Sequence, residues 1–464
     1  MLSAIFNFNK GWDTPRALAA SPSERIFPMC GKGISGLFWG AMFLLLGFML
    51  SKAAFPAEKR KIGKKEEKSA EIEYTLADWK GPEKDFKAID GRIVGEWWQG
   101  GGLGVVYFTG PHAQKLAAFE RVGRKIAARL KRPYLEIHKE HMRPSADDEN
   151  GIIAYPDGTA RVQLFLMPGG NGGMTVCDIA DIPTNTTSPE KLAEICRVPQ
   201  GAFKTGMNYV GVCGGCFIAT SGVDKPNFIS YGWRLWPGKF ADIGPGGREP
   251  FPDVVFDPAL KNHFLYKATE NGRLRNMFFN GGPLRLESEV PDTEYLGKYV
   301  GGNIPEIIDT WFCIAYRPKD NGLSGRCVIA TGHPEARHER FLEAMCDYAL
   351  QHDYEVPRKP IKPEEKISAV VGDNQMHYYC LSDVPAGKKL SVSLTGLSEN
   401  CDLYLRFNLP PLFGKKDAAS KKAKVADEAV TISATKAGEY WIGVHGNHQK
   451  ANGAQYELQV SISD

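Results

Sequence analysis

The run Tyr209-Val210-Gly211-Val212-Cys213-Gly214-Gly215, followed by Cys216-Phe217-Ile218-Ala219, constrains the fold more than any other stretch of the chain. An apolar strand that enters Gly-x-Cys-x-Gly and leaves as an apolar helix start predicts a strand-turn-helix unit. The flanking glycines permit a strained turn, and the side chain between them is thrust up at a helix N-terminus, a setting that favours thiolate. Further strand runs at Leu103–Phe108, Tyr134–Ile137, Val162–Met167 and Cys327–Ala330 alternate with helical patterns over Ala113–Leu130, Pro189–Cys196 and Arg337–Leu350. That alternation predicts βαβ crossovers and a mostly parallel sheet. Between Phe264 and Tyr316 the pattern changes to hairpin material, including Arg275–Asn280 and Ile307–Tyr316, which predicts antiparallel strands beside the main sheet.

At 464 residues, and roughly one domain per 150 residues, the chain holds two or three units. Ile34–Phe55 is apolar, with Lys52 its only ionisable side chain, and Lys10, Arg16, Arg25 and Lys32 precede it. At ~1.5 Å rise per residue it spans a hydrocarbon layer of ~30 Å as a signal anchor. If translation starts at Met29, Met29–Ala53 reads instead as a cleavable signal peptide ending Ser51-Lys52-Ala53. Either way the rest of the chain is expected outside the cytoplasm: secreted, periplasmic, or anchored. The expected organisation is an extension over 1–33, the apolar segment 34–55, a charged linker 56–73, an α/β domain 74–356, a Pro/Lys linker 357–366, and an all-β unit 367–464. Runs such as His377–Leu381, Lys389–Leu394, Asp402–Phe407 and Gln455–Ile462 alternate in polarity, as the strands of a sandwich do.

A nucleophile needs a base. Gly332-His333-Pro334-Glu335 follows the apolar run Cys327–Ala330, so His333 and Cys213 are both expected at the carboxyl edge of a sheet, where reacting groups gather. Glu335 stands where it can orient the imidazole. Met167-Pro168-Gly169-Gly170-Asn171-Gly172 follows another strand, and its glycines let backbone N–H groups face a developing oxyanion. Cys213 and Cys216 also spell C-x-x-C, but the preceding strand and glycines suit an elbow better than a redox dithiol. Neither a second C-x-x-C nor a close His pair accompanies them, so no metal or other cofactor is expected. Asp402 and Asp383 read as turn carboxylates before they read as cation ligands.

Together these pieces resemble the class I glutamine amidotransferase-like superfamily over roughly Leu103 to Asp353. Gly211-Val212-Cys213-Gly214-Gly215, Pro237-Gly238-Lys239-Phe240-Ala241-Asp242-Ile243-Gly244-Pro245 and Phe278-Phe279-Asn280-Gly281-Gly282-Pro283 are similar to the biotin-protein ligase N-terminal domain family. The resemblance implies a flavodoxin-like three-layer α/β/α domain with Cys213 as nucleophile, His333 as base, Glu335 as its partner, and Gly170 and Gly214 in the oxyanion hole. It does not carry biotin ligation, which needs a separate catalytic module. Val384-Pro385-Ala386-Gly387, Cys401-Asp402-Leu403-Tyr404-Leu405 and Ala437-Gly438-Glu439-Tyr440-Trp441-Ile442 resemble the bacterial pre-peptidase C-terminal domain, which implies a jelly-roll-like sandwich.

With 57 Lys+Arg against 54 Asp+Glu, the net charge of +3 gives no bulk attraction to nucleic acid, and membrane contact is expected only through 34–55 if it stays uncleaved. The ten cysteines are mostly in apolar contexts; Cys313 with Cys327, or Cys380 with Cys401, lie on neighbouring strand-like runs where a bridge could form. Two functions follow: a cysteine-dependent hydrolase of an amide or peptide, or a non-catalytic surface binding protein on the same fold.

Overall fold

A strand covered on both faces reads as an unbroken apolar run, and the runs named above fold this way. The computed structural model describes residues 84–97, 102–143, 145, 148–181, 189–221, 232–244, 251–320 and 322–464. The chain divides into units 1–72 and 73–464; the segments expected at 1–33, 34–55 and 56–73 lie outside the described residues. Among the described residues no helix is long and apolar enough to cross a membrane.

The second unit opens with a hairpin, β1 (Lys87–Ile89) and β2 (Arg92–Gly95), closed by Asp90-Gly91 with both residues at positive φ. β3 (Leu103–Phe108) leads into α1 (Ala117–Leu130), whose Ala118, Phe119, Val122 and Ile126 form the buried stripe. Then come β4 (Tyr134–Ile137), α2 (Lys139–Met142), β5 (Val162–Met167), α3 (Gly172–Ala180) and α4 (Pro189–Lys204). The sequence pattern ends α4 at Cys196, before Pro199; in the structure the helix runs past that proline to Lys204.

β6 (Asn208–Val212) runs into α5 (Gly214–Ala219). β7 (Asp253–Val255), α6 (Phe264–Lys267), β8 (Arg273–Leu274), β9 (Thr293–Val300) and β10 (Trp311–Tyr316) follow. β11 (Cys327–Ala330), α7 (Pro334–Arg337), α8 (Glu339–Leu350) and β12 (Tyr354–Glu355) complete the α/β part. Nine of these strands make one sheet in the order β4-β3-β5-β6-β11-β10-β9-β7-β8.

Its five strands from β4 to β11 pair in parallel, and the four from β10 to β8 pair antiparallel. The sheet is therefore mixed rather than mostly parallel, because the stretch expected to add antiparallel strands supplies β8, β9 and β10, and β7, which precedes it, pairs with them. Within that stretch Arg275–Asn280 forms no strand of its own beyond isolated bridging. Phe119, Val122, Ile126, Phe341, Leu342 and Met345 from α1 and α8 join strand residues such as Val105, Leu164 and Val210 in one buried core.

The remainder is all-β. β13 (Lys359–Pro360), β14 (Lys366–Val371), β15 (Met376–Val384), β16 (Lys389–Thr395), β17 (Cys401–Phe407), β18 (Ala418–Ser420), β19 (Glu428–Ile432), β20 (Gly438–Gly446) and β21 (Ala454–Ser463) form a five-stranded and a four-stranded sheet. Leu403, Leu405, Ile442 and Val444 on one meet Leu390, Val392, Leu458 and Val460 on the other. The segment 357–366 carries β13, which pairs with β15, and buries Ile361 in this core.

Polar pairs join the two parts. Arg161, 3% exposed, reaches Asp373, 4% exposed, at 3.2 Å. His377 Nε2 lies 3.2 Å from Asp157 Oδ2, and Arg406 pairs with Asp85 at 2.7 and 3.0 Å. The Arg406 hydrogen bond holds the Asp85 carboxyl down at about 2.

All nine described cysteines are free thiols. Cys313 stands opposite Ala330 and Cys327 opposite Tyr316, three positions apart along the ladder. Cys380 and Cys401 flank β20 on opposite sides. Neither expected bridge can close at such separations.

Candidate active site

Three adjacent parallel strands, β5, β6 and β11, end level with one another, since Met167 is opposite Gly211 and Val212 opposite Ala330. The loops that leave them carry the residues singled out from sequence. Cys213 sits between β6 and α5 with φ 48° and ψ −105°, a strained conformation for a side chain with a Cβ. Cys213 N–H donates to Ala330 O at 2.9 Å, which ties the elbow to the end of β11. The thiol is 5% exposed and donates to Asn280 O at 3.6 Å.

His333 lies just past β11, with its ring close to Gly169 and Phe278. A Cβ on Gly169 would stand 2.7 Å from His333 Cε1, so only glycine leaves room there. The Phe278 ring centre is 5.1 Å from the imidazole. His333 Nδ1 bonds Glu335 Oε1 at 2.7 Å, while Nε2 is buried with no hydrogen-bond partner among the described residues. Burial by itself disfavours the imidazolium, but the Cys213 thiol and the Glu335 carboxylate outweigh it and raise the imidazole to about 10. Cys213, His333 and Glu335 thus form one electrostatic group.

Gly170 and Gly214 meet at the same place. Gln114 N–H donates to Gly169 O at 2.8 Å and Asn171 N–H to His112 O at 2.9 Å. This pairing turns the intervening Gly170 N–H away from it. Neither Gly170 N–H nor Gly214 N–H is taken by an acceptor among the described residues. A Cβ on Gly214 would lie 2.3 Å from Gly170 O, so the two backbones are in direct contact. A cavity of ≈ 340 Å³ opens over this point, lined by Gly170, Cys213 and His333 together with Gln114, Asn171, Phe217, Ile243 and Asn280.

Sequence reasoning gave Gln114, Phe217, Ile243, Phe278 and Asn280 no role in the site, although all but Gln114 lie in motifs quoted above. The signal beside Phe278 and Asn280 was the Gly281-Gly282 pair. A Cβ on Gly282 would stand 1.8 Å from Thr331 O, so that loop must press against the end of β11. Cys216 is wholly buried, and burial pushes its thiol well up. No group of three His, Cys, Asp or Glu among the described residues could hold a metal.

Residues 383–446 match the family described as the bacterial pre-peptidase C-terminal domain, and the C-terminal sandwich is such a domain. A curated relative, alkaline serine exoprotease A of Vibrio alginolyticus, is 32% identical over 114 residues. That stretch is 23% of this chain, and the chain spans 21% of the relative's length. Among solved structures, the pre-peptidase C-terminal domain of a Bacillus anthracis collagenase is 18% identical at a TM-score of 0.18, covering 23% of this chain and 98% of that one. A glutamine amidotransferase is 16% identical at a TM-score of 0.30, covering 52% of this chain and 98% of that one.

Proposed function

We propose that this chain is an exported cysteine-dependent hydrolase of an amide or peptide bond, built on a flavodoxin-like three-layer amidotransferase-like domain. The observation that carries the reading is the convergence of an elbow thiol, a buried His333–Glu335 pair and two unused glycine amides on one cavity. In the proposed cycle the Cys213 thiolate attacks the substrate carbonyl, and the oxyanion faces the Gly170 and Gly214 N–H groups. His333 then gives its proton to the departing amine and leaves a thioester. It next takes a proton from water, whose oxygen attacks the thioester, and the acid departs as the thiolate reforms. Glu335 holds the ring and balances its charge at each stage.

Export is supported by the pre-peptidase C-terminal domain and is in keeping with a relative named as an exoprotease. Membrane contact through 34–55 belongs to the same proposal, as does the absence of biotin ligase activity. The likeness to the biotin-protein ligase N-terminal domain family rests on sequence motifs alone.

The test is alkylation of the full chain with iodoacetamide near neutral pH. Cys213 is expected to be modified first among the nine described cysteines, and Cys213→Ser to abolish any acyl-enzyme trapped from amide substrates. If Cys213 reacts no faster than the others, and Cys213→Ser alters no phenotype, the hydrolase reading gives way to a non-catalytic surface binding protein.

A further inference from the structure

The segment from Arg275 to Asn280 belongs to none of the strands that carry the nucleophile and base, yet it is fastened around both. His338 Nε2 and Arg275 O are 2.8 Å apart, and Met277 N–H donates to Pro252 O at 2.7 Å. His333 N–H donates to Phe278 O at 2.9 Å, and the Cys213 thiol donates to Asn280 O. Phe278 therefore touches His333 twice, through its carbonyl on the backbone and its ring against the imidazole. Phe278 packs in turn against Phe251, with ring centres 6.0 Å apart.

The imidazole has two walls of different kinds. The Gly169 side is backbone and cannot yield without moving the loop that carries Gly170. The Phe278 side is one side chain. Its ring helps keep the His333 residue at 3% exposure, so water does not screen the attraction between the imidazole, Glu335 and Cys213.

We propose that Phe278 is a positioning residue for the Cys213–His333 pair: it fixes the plane of the imidazole and excludes water from the part of the ring it covers. This rests on the hydrolase reading above, since the pair is worth positioning only if it reacts. The titratable groups that bear on the imidazole are Cys213 and Glu335, with Tyr299 acting on the region through Cys213 and Tyr107 through Glu335. With the Phe278 ring gone, water relieves the burial penalty on the imidazolium but also weakens the summed attraction of Cys213 and Glu335. The second effect is the greater, since His333 stands at about 10, and the imidazole is free to tilt.

The experiment is a titration of the full chain with isotope-labelled histidine, followed by NMR, with His333→Gln to assign the signal. Phe278→Ala is expected to move the His333 midpoint down by at least about one pH unit, a tenfold loss in proton affinity. Phe278→Leu, which keeps an apolar wall, is expected to retain most of the wild-type midpoint and so guards against a folding defect. A Phe278→Ala protein that melts earlier but titrates as wild type overturns the proposal, because a merely structural role predicts that outcome. If the midpoint moves as expected while wild type and Cys213→Ser show the same hydrolysis, the positioning role stands and the hydrolase reading falls.

Discussion

His333 Nδ1 and Glu335 Oε1 lie 2.7 Å apart across Pro334, in residues that are 3% and 8% exposed. Proline at the first position of α7 fixes the turn between them and needs no N–H there. A carboxylate so placed acts on the imidazole both as acceptor and as charge. Glu335→Gln keeps the shape and removes the charge. Cys213-dependent hydrolysis is expected to fall by about 10²- to 10⁴-fold, with the secondary structure retained. Steady-state rates on any substrate cleaved by the wild type check this.

The same pair makes stability depend on pH. The folded-state pKa of His333, about 10, lies above the value of an unfolded histidine, near 6.5. The stabilisation is therefore fully present below about pH 6.5 and is lost as pH rises through about 10. Denaturant midpoints of wild type and His333→Gln, measured from pH 6 to 10.5, should converge toward the alkaline end. A constant gap across that range contradicts the expectation.

Gly214→Ala tests the proposed oxyanion site without altering any titratable group. The added Cβ would meet Gly170 O at 2.3 Å, so the Gly170 and Gly214 backbones must move apart. Hydrolysis is expected to drop by about 10²- to 10³-fold, mostly in kcat, since the lost interaction forms in the transition state. Alkylation of Cys213 should change much less.

A buried ion pair joins the α/β part to the sandwich. Asp373→Ala removes a buried carboxylate from Arg161, which keeps Asp148 at 3.3 Å and Ala451 O at 3.4 Å. The cost is expected to be about 3–5 kcal/mol in urea unfolding, because a buried guanidinium loses part of its compensation. Adding Arg161→Met should recover much of it. A single mutant as stable as wild type would mean that water reaches the pair.

Much of the fold was legible because its signals are local. The runs at Leu103–Phe108 and Val162–Met167 are strands from end to end, and β15, β16, β17 and β21 each contain the alternating run read from sequence. The helical pattern read over Pro189–Cys196 stopped short, since the helix runs on through Pro199 to Lys204. Arg275–Asn280 misled because its backbone bonds to loops, Met277 N–H to Pro252 O and His333 N–H to Phe278 O, while Met277 and Phe279 are buried in the main core.

That Cys213 stands on a strained turn between strand and helix follows from the glycines beside it, which permit that backbone. That Glu335 lies within reach of His333 follows from its place two residues away. The pairing of β6 with β11 in matching register, which brings together residues 120 positions apart, arises only in the folded chain. Only there do Phe278 and Asn280 lie against them. Strand order and loop contact are set by the sum of packing across the whole sheet, and no local pattern encodes that sum.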